Sequence, residues 1–150
     1  MPYRLEVLGF PRLRDSEGSE IEFPRGKPLA LLSFLAVESR PVGREELGEL
    51  FWPGNSQKRT RHSVRQAIWL IRRTLGDEIL QGDDPVAVSG EALSCDLLEF
   101  QGAIEAGKVD HARSLWRGPL LSRMSLSGCR GWDHWLEEKR GGLDRDFFRI

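Results

Sequence analysis

The chain contains few of the residues that carry catalysis or bind metals. It has two cysteines and three histidines in 150 residues. Cys95 and Cys129 lie far apart and have no other Cys or His at ligand spacing. The sequence therefore indicates neither a metal site nor a catalytic thiol, and we expect free thiols in a reducing cytosol.

An enzyme is the weakest interpretation of this sequence. No nucleophile or carboxylate stands at a convincing spacing from the histidines, which are His62, His111 and His134. The acidic pairs 83–84 and 137–138 are adjacent in sequence, so their side chains point apart in a strand or helix. The glycine pair 141–142 lacks the Lys-Ser/Thr that follows in a phosphate-binding loop. We expect no catalytic residues, no cofactor and no metal.

Long apolar runs are also missing. The N-terminal segment MPYRLEVLGF is too short in its apolar stretches for a signal peptide or a membrane span. We therefore expect a cytoplasmic protein without a membrane partner. The length suits one domain, or a small domain with an appendage.

The charges are distributed unevenly, although the formal net charge is only −1. Residues 51–76 contain six basic side chains and no acidic one, whereas residues 77–110 contain nine acidic side chains and one basic one. A basic block next to an acidic block predicts two surfaces with different functions.

The basic block has the periodicity of an amphipathic helix. Apolar residues recur at helical spacing and form one stripe: Val64, Ala67, Ile68, Ile71 and Leu75. The other face is basic, with donors long enough to reach phosphates and base edges. The candidate DNA-contacting residues are Lys58, Arg59, Arg61, His62, Arg65, Gln66, Trp69, Arg72 and Arg73.

A charged outer face is more often simply solvated surface. Solvated faces usually mix signs, however, because like charges four residues apart repel. Arg61 and Arg65 are such a like-charged pair, and a polyanion would relieve their repulsion. The pattern therefore favours double-stranded DNA as the partner and residues 57–75 as a recognition helix.

The flanking segments predict an α+β fold built around this helix. Residues 3–8 alternate as a strand that Leu13 continues past Pro11, and residues 21–23 return after a turn at 15–18. Helices are predicted from Pro28 to Val37 and from Gly43 to Phe51, and a hairpin at 79–88. This order is typical of a winged helix-turn-helix, residues 1–92, with an N-terminal antiparallel sheet and a C-terminal wing hairpin.

After Leu93 the pattern becomes helical. Residues 97–106, 109–116 and 132–148 predict three helices, the last interrupted in its apolar pattern by Gly141-Gly142. Paired short helices suggest a tetratricopeptide-like segment over residues 93–150, too short to be a self-sufficient array. We expect Trp116, Trp132 and Trp135 to be packing residues. The apolar C-terminal residues indicate a chain that continues or needs a partner.

Seven short blocks of this chain occur in the order typical of one family. They are LEVLGF at 5–10, KPLALLSFLAV at 27–37, VGREELGELFWP at 42–53, RHSVRQAIWLIRRTLG at 61–76, CDLLEF at 95–100, LWRGPLL at 115–121 and WDHWLEEKRGGL at 132–143. The chain resembles the N-terminal half of the bacterial antibiotic-regulatory activators, the SARP family. These proteins join an OmpR-type winged helix to a helical bacterial transcriptional activation domain.

The resemblance implies a function for each segment. It implies that residues 57–75 dock in the major groove and that the hairpin 79–88 is a wing over the neighbouring minor groove. It also implies that the loop 53–57 lies near the surface that meets RNA polymerase. A second copy of the chain is the other protein partner that we consider.

The chain departs from the family pattern at two places. Trp69 and Leu70 stand where family members often carry a small polar residue followed by Arg, and an indole reads bases poorly. The tip of the wing, residues 82–85, is acidic, and DNA phosphates repel carboxylates. We expect either a wing held away from DNA or weaker binding. These departures also support an alternative, a degenerate winged helix that binds protein.

Overall fold

The computed structural model describes residues 2–150, which form six β-strands and six α-helices. The strands are β1 (Tyr3–Glu6), β2 (Arg12–Arg14), β3 (Glu20–Ile21), β4 (Leu80–Gln81), β5 (Ala87–Val88) and β6 (Leu93–Cys95). The helices are α1 (Lys27–Glu38), α2 (Arg44–Phe51), α3 (Gln57–Leu75), α4 (Asp96–Glu105), α5 (Val109–Leu115) and α6 (Arg130–Arg149). This is an α+β fold, as predicted.

The N-terminal sheet differs from the prediction in two ways. Leu13 does not continue the first strand: the chain reverses around Gly9, and β2 pairs antiparallel with β1. Strand β6 pairs parallel with β1, so the sheet order is β3-β2-β1-β6 and the sheet is mixed rather than antiparallel. The parallel partner, β6, lies within residues 93–150, the segment that was predicted to be helical.

Asp96 connects this sheet to α4. Its carboxylate accepts hydrogen bonds from the backbone N–H of Val7 at 2.7 Å and of Leu8 at 3.1 Å. Burial raises the pKa of Asp96, and the two backbone hydrogen bonds oppose this rise. The bonds satisfy two backbone donors that follow β1, which explains why a buried carboxylate is tolerated here.

Helix α1 is almost wholly apolar and forms the buried centre of the molecule. Every residue from Leu29 to Val37 is buried. Helices α2 and α3 pack on α1, and so does β5 of the hairpin. The hairpin β4–β5 follows a 3₁₀ turn at Asp77–Ile79 and confirms the predicted strand pair.

The C-terminal helix packs back onto α1 and α2. The buried ring of Trp132 lies 5.3 Å from Phe51 and 5.1 Å from Trp135, between ring centroids. Trp135 contacts Phe34 of α1 and donates to Glu38 at 3.2 Å. The expectation that these tryptophans are packing residues is therefore confirmed, and Gly141-Gly142 lie inside an uninterrupted helix.

The long segment between α5 and α6 joins the sheet and the helices. Leu120 forms an isolated antiparallel bridge with Leu8, and Leu121 donates to the carbonyl of Val7. Trp116 stacks on Phe147 of α6 with ring centroids 4.4 Å apart. Trp116 is thus the packing residue between helical segments that the sequence predicts.

Candidate nucleic-acid interface

Helix α3 begins and ends where its own sequence indicates. The Ser56 hydroxyl accepts a hydrogen bond from the backbone N–H of Arg59 at 3.3 Å, which caps the first turn. At the other end, Gly76 has a φ of 100° and its N–H donates to the carbonyl of Arg72. This left-handed conformation suits glycine and allows the chain to leave the helix.

The inward face of α3 is the predicted apolar stripe. The buried residues of the helix are Val64, Ala67, Ile68, Ile71 and Leu75. They pack on α1 and α2. Gly48 allows α2 to approach closely, since a Cβ atom at this position would lie 2.4 Å from the Cγ2 atom of Thr60. The stripe therefore holds the helix in one rotational setting and turns its other face outward.

Eight of the nine predicted DNA-contacting residues are exposed on that outward face. They are Lys58, Arg59, Arg61, His62, Arg65, Gln66, Trp69 and Arg73. The helix brings them together as one surface, which we call the α3 basic face. No acidic residue lies between Gln57 and Leu75.

Arg72 is the residue that differs from the rest of the predicted set. Its side chain is half-buried, and its Nη2 donates to the carbonyl of Gly82 at 2.7 Å and to that of Leu80 at 3.4 Å. Arg72 therefore holds the hairpin against α3. Helical periodicity alone could not reveal this contact, because the hairpin carbonyls come from a later segment.

Two contacts organise the middle of the α3 basic face. Arg65 Nη2 lies 3.1 Å from Nδ1 of His62, one helical turn earlier. The guanidinium of Arg73 lies 5.8 Å from the ring centroid of Trp69, within cation–π range. Trp69 is nevertheless 56% exposed, so the described chain leaves more than half of its surface uncovered.

The acidic hairpin tip is anchored to α2, a contact that no sequence pattern indicates. Asp84 Oδ1 accepts from the backbone N–H of Arg44 at 3.0 Å and caps the first turn of α2. Asp83 Oδ1 pairs with Arg44 Nη2 at 2.8 Å, and the Asp83 carbonyl accepts from Arg44 Nε at 2.7 Å. The tip therefore lies against α2 instead of projecting freely.

Arg44 and Arg65 lie together at the edges of two adjoining clefts. One cleft, of about 540 Å³, lies between α2 and α3 and also involves Arg61. The other, of about 660 Å³, lies between α3 and the hairpin tip and also involves Trp69. Arg44 is thus a basic residue of this surface that helical periodicity in α3 could not identify.

No group of three or more His, Cys, Asp and Glu in residues 2–150 could hold a metal ion. Cys95 and Cys129 are both buried, and burial together with the charge of Asp96 raises the pKa of Cys95 to about 12. No helix in the part of the chain that the structure describes has the length and apolar character needed to cross a membrane.

Comparison with known proteins gives relatives of low identity. No family model matches the chain. The chain is 28% identical over 141 residues to the "Transcriptional regulatory protein MoaR1" of Mycobacterium bovis (strain BCG / Pasteur 1173P2) and of Mycobacterium tuberculosis (strain ATCC 25618 / H37Rv). Each match covers 79% of this chain and 45% of the relative, so the chain spans about half the length of the curated relatives it matches.

The fold matches a larger solved structure. It is similar to Mycobacterium tuberculosis EmbR, solved in complex with a low affinity phosphopeptide, with a TM-score of 0.69 and 22% sequence identity. The similarity covers 97% of this chain and 42% of EmbR. It extends from the N-terminal sheet through the C-terminal helices and shows that the two proteins share a fold.

Proposed function

We propose that this chain is a DNA-binding transcription regulator of the SARP type, in which α3 docks in the major groove. The observation that carries the proposal is the α3 basic face, an exposed surface without an acid, held outward by a buried apolar stripe. A helix of this width and charge fits the major groove. The names of the curated relatives support a role in transcription regulation.

In this proposal residues 1–92 form a winged helix-turn-helix. Helix α2 precedes the recognition helix α3, and the hairpin β4–β5 is the wing. Residues 93–150 form the start of a tetratricopeptide-like activation segment. The role is binding and not catalysis, and it is exercised in the cytoplasm, where the chromosome is accessible.

RNA polymerase is the protein partner that we propose for activation. The loop between α2 and α3 supports this, because residues 53–57 are all exposed and lie beside the α3 basic face. A protein bound to DNA through α3 would keep this loop free for a second contact. A second copy of the chain is the other partner that fits a regulator of this kind.

The primary test is the salt dependence of DNA binding. Fluorescence anisotropy of a labelled random duplex, titrated with the full chain at several salt concentrations, measures it directly. If four to six phosphates are neutralised, log affinity should fall against log salt with a slope of roughly −4 to −5. Absence of duplex binding at low salt, or a slope near zero, would reject the proposal.

The same assay separates base reading from phosphate binding. Arg65 lies at mid-helix, and we expect Arg65→Ala to cost about 1–3 kcal/mol on the chain's own promoter region and to relax specificity at one position. Lys58 lies at the start of the helix, so Lys58→Ala should weaken binding to promoter and random duplex equally. Equal losses on both duplexes for Arg65→Ala would show that Arg65 reads no base.

Trp69 favours a second candidate, a protein-interaction module. An indole that is 56% exposed at the centre of this face is unusual unless a partner covers it. If that partner is protein, Trp69→Ala should break self-association and leave DNA affinity unchanged or improved. A loss of DNA affinity above about tenfold, equal to about 1.4 kcal/mol, with unchanged sedimentation, would instead identify Trp69 as a DNA contact.

A further inference from the structure

The two acids of the hairpin tip have different roles on Arg44. Asp84 binds the backbone N–H of Arg44 and so completes the first turn of α2. Asp83 binds the Arg44 guanidinium, through its carboxylate at 2.8 Å and its backbone carbonyl at 2.7 Å. Only the Asp83 carboxylate neutralises the side-chain charge, so it can be removed without removing the cap.

The Arg44–Asp83 pair is placed so that it can exchange partners. The Asp83 side chain is 86% exposed, whereas that of Arg44 is 24% exposed. An ion pair with one member almost fully in water contributes little stability and is easily replaced by another anion. Arg44 also borders both clefts beside Arg65, so a duplex on the α3 basic face would bring a phosphate near it.

The chemistry of the two anions makes the exchange reasonable. A guanidinium presents several N–H donors in a planar fork that binds carboxylate and phosphate in the same way. Binding to DNA adds a further gain, because neutralising a phosphate releases a condensed counterion. The pairing of Arg44 with the Asp83 carboxylate releases no such counterion.

We propose that Asp83 occupies, on Arg44, the position of a DNA backbone phosphate. Arg44 is then a phosphate-binding residue outside the recognition helix, and the hairpin tip competes with DNA for it. The duplex displaces the Asp83 carboxylate, while Asp84 keeps the tip anchored to α2. This inference rests on the proposed function, because it requires DNA at the α3 basic face.

The test is a double-mutant cycle of Asp83→Asn and Arg44→Gln in the full chain, with anisotropy of a random duplex across a salt series. Asp83→Asn frees Arg44 and should raise affinity about three- to fivefold. Arg44→Gln should lower affinity and make the salt slope shallower by about 0.9, the value for one phosphate. In the Arg44→Gln background, Asp83→Asn should raise affinity less than about 1.5-fold.

Controls separate this exchange from simple charge repulsion. Glu105→Gln removes one charge from an exposed residue of α4 and should leave affinity unchanged. Arg44→Gln retains the backbone N–H that Asp84 binds, and circular dichroism melting of each variant checks that α2 remains folded. An equal gain from Asp83→Asn in both backgrounds, or no gain in either, would overturn the exchange while leaving DNA binding established. If the unmodified chain binds no duplex, the proposed function fails and this inference fails with it.

Discussion

Glu6 is a single residue on which three arginines converge. It lies on β1, and its carboxylate pairs with Arg12, with Arg14 at 3.1 Å and with Arg4 at 3.3 Å. Burial acts to raise the pKa of Glu6, but hydrogen bonds from the arginines outweigh it and lower the pKa from 4.5 to about 2. Without this carboxylate, Arg4 and Arg14 would face each other across the β1–β2 pair as like charges.

The lowered pKa of Glu6 predicts a pH dependence of stability. A carboxyl with a depressed folded-state pKa stabilises the protein above its unfolded pKa of about 4.5, and this contribution is lost as pH falls towards about 2. We expect Glu6→Gln to lower the free energy of unfolding by about 2 kcal/mol at neutral pH. The difference from the unmodified chain should shrink towards zero near pH 2, as measured by urea unfolding.

Glu20→Gln provides the matched control for Glu6→Gln. Glu20 is an exposed residue of β3, which is separated from β1 by β2, and its substitution should change stability little at any pH. Asp96 has a raised pKa, so its contribution to stability changes with pH in the opposite direction to that of Glu6. Because Asp96 is the same in every variant, comparing the variants at one pH cancels this contribution. A difference between Glu6→Gln and the unmodified chain that does not vary with pH would show that its charge does not contribute.

At the candidate site, single residues were predictable when their neighbours in sequence decided their position. Arg65 and Trp69 are exposed because the apolar stripe of the same helix fixes which face is inward. Arg72 and Arg44 were not predictable in this way, since their partners in the hairpin tip approach through tertiary structure. Their hydrogen bonds leave no periodic pattern in the sequence.

The same distinction holds for whole elements. Helix α3 was predicted to its ends because a capping residue at 55 or 56, an apolar stripe and a terminal glycine all lie within one continuous segment, and the structure selects Ser56 as the cap. The pairing of β6 with β1 was missed because its determinants are distant in sequence: Val7 and Asp96, which join the two regions, are 89 residues apart. The position of α6 on α1 and α2 was missed for the same reason.

The crossing of α2 and α3 is an element-scale feature that a glycine substitution can test. A Cβ atom at Gly48 would lie 2.4 Å from Cγ2 of Thr60, so Gly48→Ala forces the two helices apart. We expect Gly48→Ala to destabilise the protein by about 1–3 kcal/mol. Thr60→Ser removes Cγ2 and keeps the hydroxyl that bonds the Trp52 carbonyl, so it should restore part of this loss in the double variant.

Gly102→Ala is the control for helix propensity. Gly102 lies in α4, and a Cβ atom there would have no neighbour within 4 Å. The same substitution should therefore stabilise the protein by about 0.5–1 kcal/mol, measured by thermal unfolding. If Gly48→Ala were also stabilising, or Thr60→Ser gave no rescue, close approach would not determine how α2 crosses α3.

At the scale of the whole molecule, α6 turns two predicted parts into one packed body. Trp132 of α6 lies against Phe51 of α2, and Trp135 lies against Phe34 of α1. Glu38, at the end of α1, accepts from Trp135 and pairs with Lys139, both on α6. The DNA-binding region that we propose therefore shares its core with the C-terminal helices.

A shared core predicts that a change in α6 destabilises the α3 region as well. Trp132 is fully buried, and we expect Trp132→Ala to cost about 3–5 kcal/mol. Because the sheet, α3 and α6 should unfold together, the loss of stability measured by far-UV circular dichroism should equal the loss measured by amide exchange of α3. Trp69→Ala is the matched control, since this indole is exposed and its removal should change stability by less than about 0.5 kcal/mol. If Trp132→Ala accelerated exchange in α6 while α3 kept its protection, the two parts would unfold separately and the C-terminal helices would be an appendage on an independent DNA-binding unit.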